Sequence, residues 1–208
     1  MKIDSIIFDL DGTLWDSTQG VTDAFNEIIS NTNITHQITV EDIKAIMGLS
    51  VLEIPLRLFP HLEDEQRTTL ITACWANECK YLEEHGGSLF DKLEDTIKEL
   101  AKKYKLFIVS NCQVGYIEAF LKAHNLSEYF IDYENAERTG LTKGENIKLV
   151  VERNNLKSPV YVGDTQWDME ATRFAGIPFV FASYGFGQVD DFDYKIESID
   201  QLIDLDNN

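Results

Sequence analysis

The sequence predicts an α/β protein, a doubly wound and mostly parallel sheet with an all-helical insertion after its first strand. Three observations lead there. An apolar run over residues 5–9 reads as a buried strand. From Ser17 to about His85 apolar residues recur at helical spacing, with no convincing strand among them. After Gly86-Gly87 short apolar runs alternate with amphipathic helical patterns, and such alternation builds a parallel sheet covered on both faces.

The elements follow in order. Val21, Ala24, Phe25, Ile28 and Ile29 mark a first helix, Ile43, Ile46 and Met47 a second, and Leu70, Ile71, Cys74 and Trp75 a later one. Gly48, Pro55 and Pro60 punctuate this stretch. Leu93, Ile97, Leu100 and Ala101 make the next helix, and residues 105–109 a short strand. Ile117, Phe120 and Leu121, then Ile147, Val150 and Val151, mark two more helices before a strand at Val160-Tyr161-Val162. Glu170 to Arg173 lie in a helix, residues 178–182 in a strand, and residues 199–205 in a short terminal helix. The expected division is a core of residues 1–15 and 88–208 with a helical cap of residues 16–87.

The chain has 208 residues, 44% hydrophobic and 11% aromatic, which fits a folded protein and not a disordered one. Its formal net charge of −18 repels nucleic-acid phosphates and acidic membrane surfaces, so neither is an expected partner. A phosphorylated ligand would need local positive charge from a metal or a specific lysine. Cys74, Cys79 and Cys112 form no disulfide framework, and no Cys/His cluster has zinc spacing. The sparse, odd cysteine count, the lack of a signal-like segment before the first strand and the lack of an apolar run long enough to span a bilayer lead to a cytoplasmic expectation, with a monomer as the default. His36, His61, His85 and His124 form no spaced pair and are assigned no function.

The chemistry gathers at strand ends. The first strand runs into Asp9-Leu10-Asp11-Gly12-Thr13, two carboxylates one residue apart followed by a glycine that permits a sharp turn. Two carboxylates in an apolar setting repel each other and imply a divalent cation, a shared proton, or both. Ligands of open α/β sheets bind at the carboxyl ends of the strands. That edge also collects Ser110-Asn111, Lys143, Gly163-Asp164 and Asp168. Singly these read as a turn, a surface lysine and a helix cap; together, in this order, they form a constellation.

That constellation resembles the haloacid dehalogenase superfamily, in its phosphatase branch with a helical cap inserted after the first motif. Asp9 to Thr13 looks like the first motif, Ser110 the second, Lys143 the third, and Gly163-Asp164 through Asp168 the fourth. The resemblance covers nearly the whole chain and implies a Rossmann-like core. It implies a Mg²⁺-dependent phosphatase acting on a small phosphorylated metabolite, with phosphoglycolate phosphatase as the nearest well-known comparison. Asp9 would be the nucleophile that becomes an aspartyl-phosphate. Asp11 would be the general acid and base, and Lys143 would offset negative charge. Asp9, Asp11 (through its backbone carbonyl), Asp164 and Asp168 would form the metal site, with Asp168 acting mainly by orienting water or Lys143. Ser110, the backbone at Asn111, and Thr13 would bind the phosphate.

Asp11 favours phosphate esters, because carbon–halogen and phosphonate-cleaving relatives lack an aspartate there. The Gly48-Leu49-Ser50 loop corresponds to a cap loop that helps select the leaving group, which makes Gly48 and Ser50 substrate-binding candidates. Sugar-phosphate mutases usually carry an arginine beside that serine; this chain has Val51. Arg57 and Lys80 are read as surface cations, Trp15 and Trp167 as pocket walls or ordinary packing, and Cys112 as a buried, inert thiol. Leu89-Phe90-Asp91-Lys92 stands where relatives have a Pro-Gly turn. A phosphomutase and a catalytically weak phosphometabolite sensor are the alternative readings.

Overall fold

The computed structural model describes residues 3–35 and 37–207; His36 lies outside the described residues. The chain opens with β1 (Ser5–Phe8), fully buried, and ends it one residue before Asp9. β2 (Trp15–Asp16) leads into α1 (Thr18–Ile29), α2 (Val40–Lys44), α3 (Ile54–Leu58) and the long α4 (Asp64–His85). β3 (Ser88–Leu89) then returns antiparallel to β2, with Trp15 opposite Leu89 and Asp16 opposite Ser88. This ladder ties together the two chain segments that lead into and out of the helical insertion.

The remaining elements are α5 (Leu93–Leu100), β4 (Lys105–Ser110), α6 (Tyr116–Ala123), β5 (Phe130–Asn135), α7 (Ala136–Thr139), α8 (Lys143–Arg153), β6 (Pro159–Gly163), α9 (Gln166–Ala175), β7 (Phe179–Ala182) and β8 (Tyr194–Ile196). They build a six-stranded sheet in the order β5-β4-β1-β6-β7-β8, parallel throughout. Flanking helices complete the Rossmann-like α/β architecture expected from the sequence.

Strand side chains alternate faces, and the two apolar clusters follow that period of two. Ile6, Phe8, Leu106, Ile108, Val160 and Val162 pack with α5, α6 and the terminal segment. Ile7, Phe107, Val109, Tyr161, Phe179 and Phe181 pack with α8 and α9. Burying one such side chain contributes about 1.5–3 kcal/mol relative to leaving it in water.

Three differences from the sequence expectation have physical causes. β5 carries Asp132 and Glu134 instead of an apolar run, and Arg153 and Arg138 bind those carboxylates, so charge holds this edge strand. The terminal segment Ile199–Asn207 is 3₁₀, not α. Its buried Ile199, Leu202 and Leu205 recur every three residues, the period of that helix. In place of a Pro-Gly turn, Lys92 adopts a left-handed conformation (φ 61°) immediately before α5.

α4 carries the insertion. It packs against α1 within the helical layer and against α6 of the sheet layer. Its buried face is Leu70, Ile71, Cys74, Glu78 and Leu82, one acid in an otherwise apolar stripe. No helix among the described residues is long and apolar enough to cross a membrane.

Candidate active site

β1, β4 and β6 end side by side, and their loops place the predicted residues around one point. Asp9 follows β1 and is 3% exposed. Lys143, the first residue of α8, reaches it from the side: Nζ donates to Asp9 Oδ1 at 2.9 Å and to Asp168 Oδ1 at 2.6 Å. A Thr142–Glu145 capping box fixes the start of α8, so the lysine is aimed by the helix terminus. Asp168 sits in the first turn of α9, where its Oδ2 accepts from the backbone N–H (3.0 Å) and hydroxyl (2.6 Å) of Thr165. The cap of this helix is Thr165, which leaves Asp164 free to face Asp9.

Asp164 is fully buried, and its Oδ1 and Oδ2 accept from the Thr13 hydroxyl (3.2 Å) and the Phe186 backbone N–H (2.8 Å). Gly12 explains how the loop comes so close. It has φ 79°, and a Cβ there would lie 2.2 Å from Asp164 Oδ2, so no other residue fits.

Asp9, Asp164 and Asp168 each place a carboxylate oxygen within 4.8 Å of the others. Burial and the charge of Asp168 push the Asp9 carboxyl up to about 7, against the pull of Lys143. Burial, Asp168 and Asp9 raise Asp164 well above the carboxylate range. Burial opposes the Lys143 ammonium, but Asp168 and Asp9 outweigh it and hold the lysine charged. Three buried carboxylates against one ammonium leave a negative surplus, which bound protons or a cation must offset. An all-oxygen donor set with that surplus fits Mg²⁺. Asp9, Asp164 and Asp168 are the groups that could hold it, with Asp168 also bound to the Lys143 ammonium and Thr165.

The Asp11 carboxylate stands apart from this cluster. Its Oδ1 accepts from Trp15 Nε1 (2.9 Å), Ser17 Oγ (2.6 Å) and Tyr116 OH (2.9 Å). Burial raises its pKa above the ordinary value, and these three donors pull it back. Of the residues expected at the metal, Asp11 is therefore the one whose side chain turns elsewhere, toward Trp15, Ser17 and Tyr116.

Ser110, Asn111, Gly48, Asp9, Asp11 and Lys143 line one cavity of about 50 Å³. Asn111 Nδ2 donates to the Gly48 carbonyl at 3.0 Å, latching the insertion onto the end of β4. Ser50 is not brought to this cavity. Its hydroxyl donates to Glu53 (2.7 Å), and it lines a larger outer groove of about 620 Å³ that shares Gly48, Asn111 and Lys143 with the inner space. The Thr13 hydroxyl is turned to Asp164. Trp15 is fully buried, edge-on to Tyr116, Phe120 and His124, while Trp167 is half exposed at the outer groove. Arg57 and Lys80 are exposed. Cys112 lines the cavity, but burial and Asp11 hold its thiol well above the ordinary range.

Sequence reasoning missed Ser17 and Tyr116, the donors to Asp11, and Glu78, a buried cap acid in the cavity wall that accepts from Gln113 Nε2 at 2.6 Å. Burial and Asp11 raise Glu78 well above its ordinary value. Its position on the apolar stripe Ile71, Cys74, Glu78, Leu82 was the available signal.

The family model for haloacid dehalogenase-like hydrolases matches residues 6–182. The chain belongs to this hydrolase family. It is 25% identical over 226 residues to a phosphoglycolate phosphatase of Vibrio vulnificus, covering 98% of this chain and 96% of the relative. It is 29% identical over 134 residues to the pyrophosphatase PpaX of Bacillus cereus, 62% of this chain and 58% of that one. The solved structure of a haloacid dehalogenase-like hydrolase from Streptococcus pneumoniae has the same fold, with TM-score 0.82, 22% identity and 97% of both chains covered.

Proposed function

We propose that this haloacid dehalogenase-like hydrolase is a Mg²⁺-dependent phosphatase that hydrolyses a small phosphomonoester through an aspartyl-phosphate on Asp9. The observation that carries the reading is the buried Asp9–Lys143–Asp168 chain beside Asp164, at 2.9 and 2.6 Å. It holds one carboxylate in place next to a negative surplus suited to a hard cation. The metal, held by Asp9, Asp164 and the Asp11 backbone carbonyl, would supply charge neutralisation for the transferring phosphoryl group.

The remaining chemistry belongs to the chain. Asp9 attacks phosphorus as the leaving oxygen departs, and protonated Asp11 donates its proton to that oxygen. Asp11, now a carboxylate, takes a proton from the water that attacks the aspartyl-phosphate, which regenerates Asp9 and releases phosphate. Ser110 and the Asn111 backbone hold the phosphoryl oxygens, and Lys143 opposes their charge. Burial raises the Asp11 pKa, the direction that an acid role in the first step needs. In the same reading, residues 16–87 act as a cap that opens to admit substrate, since a cavity of about 50 Å³ holds little more than the phosphoryl group itself.

Phosphate release from a panel of phosphomonoesters, with and without chelator, tests this. Activity is expected with Mg²⁺, lost on chelation and restored by adding Mg²⁺ back. Turnover indifferent to chelation would refute the metal-dependent reading.

The Asp11 network gives a signed pH dependence. Tyr116 donates to Asp11 and lowers its pKa, so Tyr116→Phe lets the carboxyl keep its proton to higher pH. A hydrogen bond to a charged group is worth about 1.5–3 kcal/mol, so the alkaline limb of kcat should move upward by about one to two pH units. An unmoved limb would remove Asp11 from the proton-transfer role.

A further inference from the structure

The walls around the proposed phosphoryl site are as informative as the site. Among the described residues, the charged side chains lining the inner cavity are Asp9, Asp11, Glu78 and Lys143. Lys143 is committed to Asp9 and Asp168. The outer groove that shares Lys143 adds Glu53, Glu137 and Glu170 and no further cation. Lys148 stacks on the Phe174 ring at 4.1 Å and lines neither space. Of the cap cations, Lys44, Arg57, Arg67 and Lys80 line neither space, although Arg57 borders the outer groove beside Leu49, Glu53 and Trp167. Beyond the phosphoryl group, the charged side chains a bound substrate would meet in these two spaces, Lys143 aside, are carboxylates, set among apolar and neutral polar groups such as Asn111, Gln113 and Tyr116.

Glu78 is the charged residue that the cap itself sends into the inner cavity. It is 5% exposed, projects from the apolar face of α4, and stands among Val21, Phe25, Ile43, Met47 and Trp75. Gln113 occupies its Oε2; among the described residues Oε1 has no hydrogen-bond partner. A carboxyl group held this way keeps one acceptor oxygen open to the cavity for a donor on a bound molecule.

We propose, resting on the phosphatase reading above, that the substrate's leaving group carries no negative charge and is recognised by Glu78 through a hydroxyl or ammonium donor. The rest of that group lies on the apolar cap wall. A carboxylate or second phosphate at the same place would face Glu78 and Asp11 with no compensating cation. An anion buried there loses its hydration with no free cation to replace it, which selects against the leaving groups of phosphoglycolate and pyrophosphate.

A size-matched series tests this: phosphoethanolamine, 2-hydroxyethyl phosphate and phosphoglycolate share the phosphate–O–CH₂ unit and differ in the group on it, CH₂NH₃⁺, CH₂OH or COO⁻. With Mg²⁺, kcat/KM for phosphoglycolate is expected to be at least about 100-fold below that for the other two. Glu78→Gln, which keeps shape and the contact to Gln113, should narrow that gap to within about tenfold. Wild-type phosphoglycolate turnover equal to or better than the other two overturns the proposal, and this comparison needs no variant. A gap that survives Glu78→Gln overturns the assignment to Glu78. p-Nitrophenyl phosphate separates the two readings: if it is hydrolysed while phosphoglycolate is preferred, only the leaving-group inference falls; if no phosphate is released from any probe, the phosphatase reading falls with it.

Discussion

Asp9→Asn is expected to abolish steady-state phosphate release, by at least about 10⁴-fold, while the protein stays folded. The amide has the shape of the carboxylate but cannot attack phosphorus, so the loss is chemical. The charge balance argues that folding survives. Asp9 is one of three buried carboxylates sharing a single ammonium, and Lys143 keeps its 2.6 Å partner Asp168 after the change. Removing one like charge from that group relieves repulsion, so the melting temperature without metal should hold or rise. Phosphate release and thermal melting, measured on the same preparation, check both halves. Near-normal turnover in the folded variant would show that the nucleophile lies elsewhere.

Asp11→Asn is expected to lower turnover by about 10²–10⁴-fold, with a different kinetic signature. Asparagine neither gives nor takes a proton. With p-nitrophenyl phosphate the leaving group needs little protonation, so Asp9 still becomes phosphorylated. The water step then lacks its base. A rapid release of about one equivalent of p-nitrophenol per active site should be followed by a near stall. Stopped-flow absorbance reads this directly, and a slow linear trace without the first phase would contradict the assigned role. The variant also disturbs Trp15, Ser17 and Tyr116, whose donors converge on Asp11 Oδ1, and an amide oxygen can still accept from them.

The readable strands were those buried on both faces. β1, β4, β6 and β7 stand out as apolar runs because helices cover them above and below. β5 and β8 did not, because edge strands need no such run. β5 is held by Arg153 and Arg138, and β8 has three residues with only Ile196 buried. The insertion announced itself through helical spacing, but the β2–β3 ladder at its base was too short to leave a pattern.

Within the site, the residues legible in advance were those whose chemistry sits at the end of an element. Asp9 follows β1, Ser110 ends β4, Lys143 starts α8 and Asp164 follows β6, and a parallel sheet brings such ends to one edge. Ser50 lines the outer groove instead of the inner cavity, and its neighbour Glu53 accepts from its hydroxyl, which short-range spacing does not reveal. Ser17, Tyr116 and Glu78 meet Asp11 or its cavity from elements up to 105 residues away in sequence.

From the amino-acid order alone came the layered α/β core, the helical insertion and the edge where carboxylates, serine and lysine gather, because hydrophobic period and strand-end position are local properties. Which way each carboxylate turns was decided only in three dimensions. Asp168 faces Lys143, Asp164 faces the cluster, and Asp11 faces Tyr116 and Ser17, because hydrogen-bond donors from distant segments compete for each oxygen. That competition, and the buried acid that α4 brings over the pocket, exist only once the cap has folded against the sheet.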